Sequence, residues 1–286
     1  MTEKLVQANG IDLCVETFGD QSDRAILLIA GAASSMDWWE DDFCRRLADA
    51  GRFVIRYDLR DTGRSTSFEV GAPSYTGEDL LADAVALLAA LGVPSAHVVG
   101  ISMGGGIAQR LAVQHPKLVT TLTLMSTSPG GPGGPSNPDL PPMAERITAM
   151  FSEPQPQPDW SDRQAVLEQF VDAERAFSGS IPVDEDRIRG IAGRVFDRTN
   201  DMAASQTNHW ILEGGGEPIR PRLGEIVAPT LVLHGTEDPL FPIGHGEVLS
   251  REIPGAYLVP VEGMGHQMPP PETWDVVVTA ILEHTS

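Results

Sequence analysis

With 286 residues, the chain is long enough to form one large α/β domain that carries an insertion. Its formal net charge of −20 disfavours nucleic acid and anionic membranes as partners and favours solubility. It contains no run of about eighteen apolar residues that would span a membrane, and its beginning, Met1-Thr2-Glu3-Lys4, lacks signal-peptide character, so we expect a cytoplasmic protein.

Short apolar runs bounded by glycine, proline and polar residues predict the strands of a sheet. After a short strand near Leu5, we expect strands at residues 11–18, 25–29, 52–57, 96–100, 119–125, 229–234 and 256–261. Helical periodicity lies between them, at residues 41–49, 76–91, 103–114, 244–251 and 272–284. Because strands alternate with helices, the sequence predicts an α/β fold with a mostly parallel, eight-stranded sheet flanked by helices.

The cysteines lie in predicted core elements. Cys14 falls in the strand at 11–18 and Cys44 in the helix at 41–49. Two thiols form at most one disulfide, and cytoplasmic proteins keep such thiols reduced. We therefore expect packed free thiols, without a disulfide and without a metal site.

The stretch 58–65 carries both signs of charge, on Asp58, Arg60, Asp61 and Arg64. These groups could serve acid–base chemistry. A loop that holds both charges tends to pair them internally, so we expect a salt-bridged turn that braces a neighbouring site.

The segment Gly100-Ile101-Ser102-Met103-Gly104 joins a predicted strand to a predicted helix. Gly-x-Ser-x-Gly in this setting is typical of a nucleophile elbow, a turn so tight that flanking side chains would collide with neighbouring backbone. Ser102 would then stand at a helix N-terminus, where the dipole favours developing negative charge. The alternative is an incidental serine in a glycine-rich turn, but the strand and helix around it favour a nucleophile.

A serine nucleophile needs a base and an orienting acid, and both occur after later strands. Asp238 lies in the polar turn after the strand at 229–234, and His266 lies in a glycine-rich loop after the strand at 256–261. The order serine, aspartate, histidine is the one that α/β-hydrolases use. In that arrangement the histidine takes the serine proton and the aspartate fixes the histidine tautomer. Glu237 adjoins Asp238 and is the rival acid.

An oxyanion hole in this chemistry needs two backbone N–H donors. The amide of Met103, directly after the nucleophile, is the first. The second is expected in the loop after the third strand, which reads Ala30-Gly31-Ala32-Ala33-Ser34. Ala32 is the better candidate and Ala33 the alternative.

Between the predicted strands at 119–125 and 229–234 the pattern changes. Residues 128–135 form a proline- and glycine-rich linker, and amphipathic helical segments follow at 143–151, 162–177, 184–198 and 202–212. We interpret residues 127–226 as a helical cap or lid inserted after the sixth strand of a core formed by 1–126 and 227–286. Candidate pocket residues are Trp38, Met143, Phe151, His209 and Trp210, with Ile147, Phe170, Phe177 and Phe196 as further candidates. Of Trp38 and Trp39, we expect at least one to pack on the core.

Several stretches resemble a known family: Arg56 to Ser65, Val98 to Gly104, Asp238-Pro239 and Gly263-Met264-Gly265-His266. Over nearly its whole length the chain is similar to α/β-hydrolases of the esterase and haloperoxidase-like group, and within that group to methylesterases of anthracyclines. The resemblance implies a triad of Ser102, Asp238 and His266, with Ala32 and Met103 as the oxyanion hole. Where the family often has His-Gly or Gly-Gly before the oxyanion donor, this chain has Ala30-Gly31, and its middle segment shows little likeness.

The predicted function is therefore a serine carboxylic ester hydrolase that forms an acyl-enzyme on small or medium esters, including methyl esters of bulky acids. It would need no cofactor and no metal, and its partner would be a small-molecule ester. A lactonase, a cofactor-free perhydrolase of the haloperoxidase type and a carbon–carbon hydrolase use the same triad. A ligand-binding, receptor-like protein that retains a slow triad is a further alternative. Epoxide hydrolases and dehalogenases are disfavoured because they have an aspartate where Ser102 stands.

Overall fold

Eight strands join in one sheet in the computed structural model, which describes residues 3–131, 133, 137–152, 156–213 and 216–286. They are β1 (Lys4–Ala8), β2 (Ile11–Phe18), β3 (Arg24–Ile29), β4 (Arg52–Tyr57), β5 (Ala96–Ile101), β6 (Val119–Met125), β7 (Thr230–Gly235) and β8 (Tyr257–Val261). Their spatial order is β1-β2-β4-β3-β5-β6-β7-β8. Pairing is antiparallel between β1 and β2 and between β2 and β4, and parallel everywhere else in this order. The prediction of a mostly parallel, eight-stranded sheet is confirmed.

Helices cover both faces of the sheet, so its central strands β3, β4, β5 and β6 are almost wholly buried. In chain order the helices are α1 (Asp41–Asp49), α2 (Gly77–Ala90), α3 (Met103–Gln114), α4 (Glu145–Ser152), α5 (Arg163–Phe177), α6 (Glu185–Arg198), α7 (Met202–Thr207), α8 (Gly244–Glu252) and α9 (Trp274–His284). One apolar layer of the core contains side chains of α2, α3 and α8, and the opposite layer contains those of α1 and α9. Every residue of β5 is buried between these two layers.

The helices α4 to α7 lie between β6 and β7 in the chain and have an apolar cluster of their own, formed mainly by α5 and α6. Asp162, Asp184 and Asp201 precede α5, α6 and α7, and each carboxylate accepts hydrogen bonds from first-turn amides. The single helix predicted at 202–212 is wrong in one respect, because α7 ends at Thr207 and a 3₁₀ helix follows at Asn208–Ile211. The linker predicted at 128–135 includes residues 132, 134 and 135, which lie outside the described residues.

Both cysteines are buried free thiols, as predicted. Burial raises the pKa of Cys14 and that of Cys44 to about 12, so neither is a thiolate near neutral pH. Among the described residues, none of the helices has both the length and the apolar character needed to cross a bilayer.

The turn between β5 and α3 brings backbone atoms of the helix and of the strands close together near the site. A methyl group on Gly104 would overlap the carbonyl oxygens of Ile29 and Ala30 at the end of β3, and one on Gly100 would overlap the carbonyl of Gly104. Glycine at these positions therefore lets α3 begin directly against the sheet.

We expect Gly104→Ala to lower the free energy of unfolding by about 2 kcal/mol or more, because the added methyl overpacks backbone atoms that cannot move aside. Gly106→Ala is the matched control, since a methyl there meets nothing within 4 Å. It should instead stabilise α3 by about 0.5–1 kcal/mol. Urea unfolding of both variants measures the difference, and equal effects would contradict the steric explanation.

Candidate functional site

Ser102 stands between β5 and α3 in a strained backbone conformation, with φ 52° and ψ −118°. A non-glycine residue in such a region costs about 1–3 kcal/mol, which the surrounding structure must supply. Two hydrogen bonds hold the backbone of Ser102. Its amide donates to the Met125 carbonyl oxygen at 3.0 Å, and Thr127 Oγ1 donates to its carbonyl oxygen at 2.8 Å. The serine hydroxyl is thereby presented at the carboxyl edge of the parallel strands, where open α/β sheets place their sites.

His266 and Asp238 meet Ser102 at this edge. The Nε2 atom of His266 lies 3.0 Å from Ser102 Oγ, and its Nδ1 atom lies 2.8 Å from Asp238 Oδ2. The other oxygen of Asp238 accepts the amides of Leu240 and Phe241 at 2.9 and 2.8 Å. Burial by itself would raise the pKa of Asp238, but His266 and the nearby donors outweigh it and hold that pKa below its ordinary value. An ionised Asp238 favours the tautomer of His266 that carries its proton on Nδ1.

Glu237, the rival acid, faces a different partner. Its Oε1 atom accepts a hydrogen bond from Ser180 Oγ at 2.8 Å, in the chain that follows α5. Among the contacts of the described residues, the carboxylate that reaches His266 is that of Asp238.

The loop that carries His266 is held against the end of α5. The His266 amide donates to the Phe177 carbonyl oxygen at 2.8 Å, and a methyl group on Gly265 would overlap that same oxygen. Gln267 Oε1 accepts the Gly265 amide at 3.3 Å, and Gln267 Nε2 donates to Glu174 Oε1 at 3.0 Å. Burial raises the pKa of Glu174 to about 7, although Arg187 and Gln267 oppose the shift. Sequence reasoning missed both Gln267 and Glu174, because only their contact in space connects them to the site.

The loop after β3 lies on the other side of Ser102. A Cβ atom on Gly31 would stand 3.5 Å from the Cβ of Ser102. Met103 is the first residue of α3, so its amide has no acceptor within the helix. Of the two amides considered for the second donor, that of Ala33 is occupied, since it donates to His209 Nδ1 at 2.9 Å. The amide of Ala32 has no hydrogen-bond partner among the described residues.

The candidate pocket residues are placed differently from one another. Phe151 and Trp210 are 49% and 56% exposed, and their ring centroids are 6.1 Å apart. Phe151 is 6.4 Å from Phe177, which in turn is 6.1 Å from the His266 ring. Phe177, Phe151 and Trp210 thus form an aromatic row from the His266 ring to the surface. Met143 is half-buried in the chain before α4.

His209 and Trp38, two further candidate pocket residues, are both buried. His209 is buried, and both of its ring nitrogens are engaged, by the Ala33 amide and by the Arg60 carbonyl oxygen at 2.8 Å. Trp38 is buried against Phe170 in the apolar cluster of α5 and α6, with ring centroids 5.6 Å apart. Trp39 packs in the core beside the sheet, as we expect for at least one of the two tryptophans.

The loop at 58–65 is braced by charges, but the predicted internal pairing is wrong. Asp58 is buried and accepts hydrogen bonds from the Met36 amide at 2.8 Å and from Arg198 Nη2 at 2.8 Å. Arg60 pairs with buried Asp83 of α2 at 2.6 Å. The loop charges therefore bind other elements, Arg198 being the last residue of α6. Within the described part of the chain, no group of three or more His, Cys, Asp or Glu side chains could hold a metal ion.

Comparison with known proteins gives the chain's family and its relatives. A family model described as alpha/beta hydrolase fold matches residues 24–269. The rhodomycin D methylesterase of Streptomyces sp. (strain C5) is 34% identical, over 100% of this chain and 98% of that protein. The corresponding enzyme of Streptomyces peucetius is 33% identical over the same shares, 100% and 98%. Among solved structures, a bromoperoxidase from Bacillus anthracis superposes with a TM-score of 0.77 at 20% identity, covering 99% of this chain and 100% of that chain.

Proposed function

We propose that this chain, which belongs to the α/β-hydrolase family and is an ester hydrolase, cleaves carboxylic esters through a covalent acyl intermediate on Ser102. The observation that carries the proposal is the chain of hydrogen bonds from Ser102 Oγ to His266 Nε2, at 3.0 Å, and from His266 Nδ1 to Asp238 Oδ2, at 2.8 Å. These distances lie within the range expected for a nucleophile, its base and an orienting acid.

In the proposed reaction Ser102 Oγ attacks the ester carbonyl carbon while His266 Nε2 takes the hydroxyl proton. The carbonyl oxygen becomes an oxyanion, which accepts hydrogen bonds from the amides of Ala32 and Met103. As the tetrahedral intermediate collapses, the bond to the alkoxy oxygen breaks and His266 donates its proton to the departing alcohol. A water molecule, deprotonated by His266, then attacks the acyl carbon. When this second tetrahedral intermediate collapses, the bond to Ser102 Oγ breaks, His266 returns the proton to Oγ and the acid is released. Asp238 orients the imidazole and stabilises its cationic form throughout.

The substrate we propose is a methyl ester whose acid part is bulky. The rhodomycin D methylesterases support the small alcohol, because they align with this chain along its full length. The aromatic row of Phe177, Phe151 and Trp210 supports a large apolar acid part, since it leads away from His266 to exposed rings. Residues 127–226 would form the cap that holds this part, as the contact of Phe177 with the His266 loop suggests.

Replacing the nucleophile tests the proposal directly. Ser102→Ala should reduce the turnover of a p-nitrophenyl ester by roughly 10⁴- to 10⁶-fold, because the three groups act as a unit. The fold should persist, as judged by circular dichroism. Phenylmethylsulfonyl fluoride should inactivate the wild-type enzyme by adding one sulfonyl group to Ser102, detected by mass spectrometry. A folded Ser102→Ala protein with nearly unchanged turnover would refute the mechanism.

The two neighbouring carboxylates provide a matched pair. Asp238→Asn should lower kcat by about 10⁴-fold, because the amide no longer favours the required tautomer of His266. Glu237→Gln should change kcat by less than about fivefold, since Glu237 bonds to Ser180 outside the reacting groups. Steady-state kinetics on one ester compares them. A larger loss at Glu237 than at Asp238 would reverse the assignment.

The size of the alcohol part of the ester tests the proposed methyl-ester substrate. For methyl, butyl and dodecyl esters of one chromogenic acid, kcat/KM should fall from methyl to dodecyl, because the proposed site accommodates bulk on the acid side. The matched series, methyl esters of acids of increasing ring number, should show kcat/KM rising with apolar area. A rate that climbs with alcohol length would exclude the methyl-ester assignment.

A further inference from the structure

We infer that His209 is a positioning residue for the oxyanion hole: it fixes the backbone turn that presents the Ala32 amide to the reacting carbonyl. The inference rests on the proposed function, because it concerns the donor that the mechanism assigns to Ala32. His209 does not touch substrate in this role; it acts through the backbone of the loop after β3.

The turn in question spans Gly31 to Ser34. The Ser34 amide donates to the Gly31 carbonyl oxygen at 3.4 Å, and Ala33, the third residue of the turn, has φ 56°. A positive φ at this position is the mark of a type II turn, in which glycine is the usual residue. Alanine there disfavours the observed form relative to a type I turn, whose central peptide is rotated. A contact from outside the turn must therefore stabilise the type II form.

His209 supplies that hold with a defined tautomer. Its Nε2 atom faces the Arg60 carbonyl oxygen at 2.8 Å, which only accepts, so Nε2 carries the proton and Nδ1 offers its lone pair. That lone pair accepts the Ala33 amide at 2.9 Å. Burial lowers the pKa of His209, with the Arg60 carbonyl and Asp61 opposing, and a neutral ring is what this pair of bonds requires. Rotation of the peptide between Ala32 and Ala33 would break the bond to Nδ1.

A second tie secures the next peptide. Gln206 Nε2, in α7, donates to the Ala33 carbonyl oxygen at 2.9 Å. The residue beside His209 is itself anchored: Asn208 Nδ2 donates to Asp61 Oδ2 at 3.0 Å, and Asn208 Oδ1 accepts the Gly71 amide at 2.9 Å. The Ala32 N–H belongs to the peptide between Gly31 and Ala32, directly before the one that His209 holds. Because β3 holds one end of this short stretch and the clamp holds the other, the rotation of that peptide is restricted before substrate arrives.

Two near-isosteric substitutions separate the hydrogen bond from the packing. His209→Asn retains an acceptor, Oδ1, close to the position of Nδ1, whereas His209→Leu has the same shape as asparagine and no acceptor. Both lose the bond to Arg60. We expect kcat of His209→Leu on a methyl ester to fall about 10- to 100-fold with KM changed less than about threefold, because the donor is misplaced for the transition state. His209→Asn should recover most of this loss.

A transition-state readout accompanies the kinetics. A trifluoromethyl ketone forms an oxyanion on Ser102, so its affinity should fall in His209→Leu by the same factor as kcat/KM. His97→Leu is the control, since His97 is as buried as His209, at 6% exposure, and bonds Thr121 Oγ1 at 2.9 Å, away from the loop. It should lower the melting temperature and leave kcat unchanged.

Equal kcat in folded His209→Leu and His209→Asn, or a wild-type kcat in His209→Leu, would overturn the inference. If His209→Leu does not fold, Gln206→Ala decides: kcat should fall about 3- to 10-fold at constant KM, and no fall would overturn it. Failure of the proposed function is distinguishable, because it would show as retained activity in Ser102→Ala. An inactive Ser102→Ala with an unaffected His209→Leu refutes the positioning role alone.

Discussion

The site depends on one packing constraint, the contact of α3 with the ends of β3 and β5. Without side chains at Gly100 and Gly104, the first turn of α3 lies directly on strand backbone, and the chain reverses at Ser102 with a positive φ. This conformation directs the hydroxyl away from the sheet and leaves the Met103 amide without a helical acceptor. In our proposal the nucleophile and the first oxyanion donor are therefore produced by the same turn, and their separation is fixed by covalent geometry.

The remaining groups are brought to that turn by the parallel sheet. Ala32 follows β3, Asp238 follows β7 and His266 follows β8, and all three loops leave the same edge as Ser102. The sheet supplies rigidity, because its central strands β3, β4, β5 and β6 are almost wholly buried. The helices between β6 and β7 contact two of these loops, through Phe177 at the His266 loop and His209 at the loop after β3. In our proposal this segment contributes to catalysis without contributing a reacting group.

Sequence patterns predict the parts of this arrangement that are local. Apart from the element at 202–212, the predicted strands and helices lie within a residue or two of those in the structure, since apolar periodicity and glycine mark them directly. The order Ser102, Asp238, His266 places three side chains because each follows its own strand. The hydrogen-bond partners of His209, Glu174 and Asp58 could not be predicted from the sequence. Each bonds across tens of residues of chain, and their residue types occur equally in solvent-exposed helices.

The attachment of α5 to the His266 loop limits how far α5 can move relative to the sheet. The Phe177 carbonyl holds the His266 amide, and the backbone of Gly265 is pressed against the same turn with no room for a side chain. If the end of α5 lifted from the sheet, it would pull the imidazole from Ser102 and stop turnover. In our proposal, movement that admits an ester or releases an acid must therefore leave this contact in place. The substrate would then enter, in the same proposal, on the far side, where Phe151 and Trp210 are about half exposed.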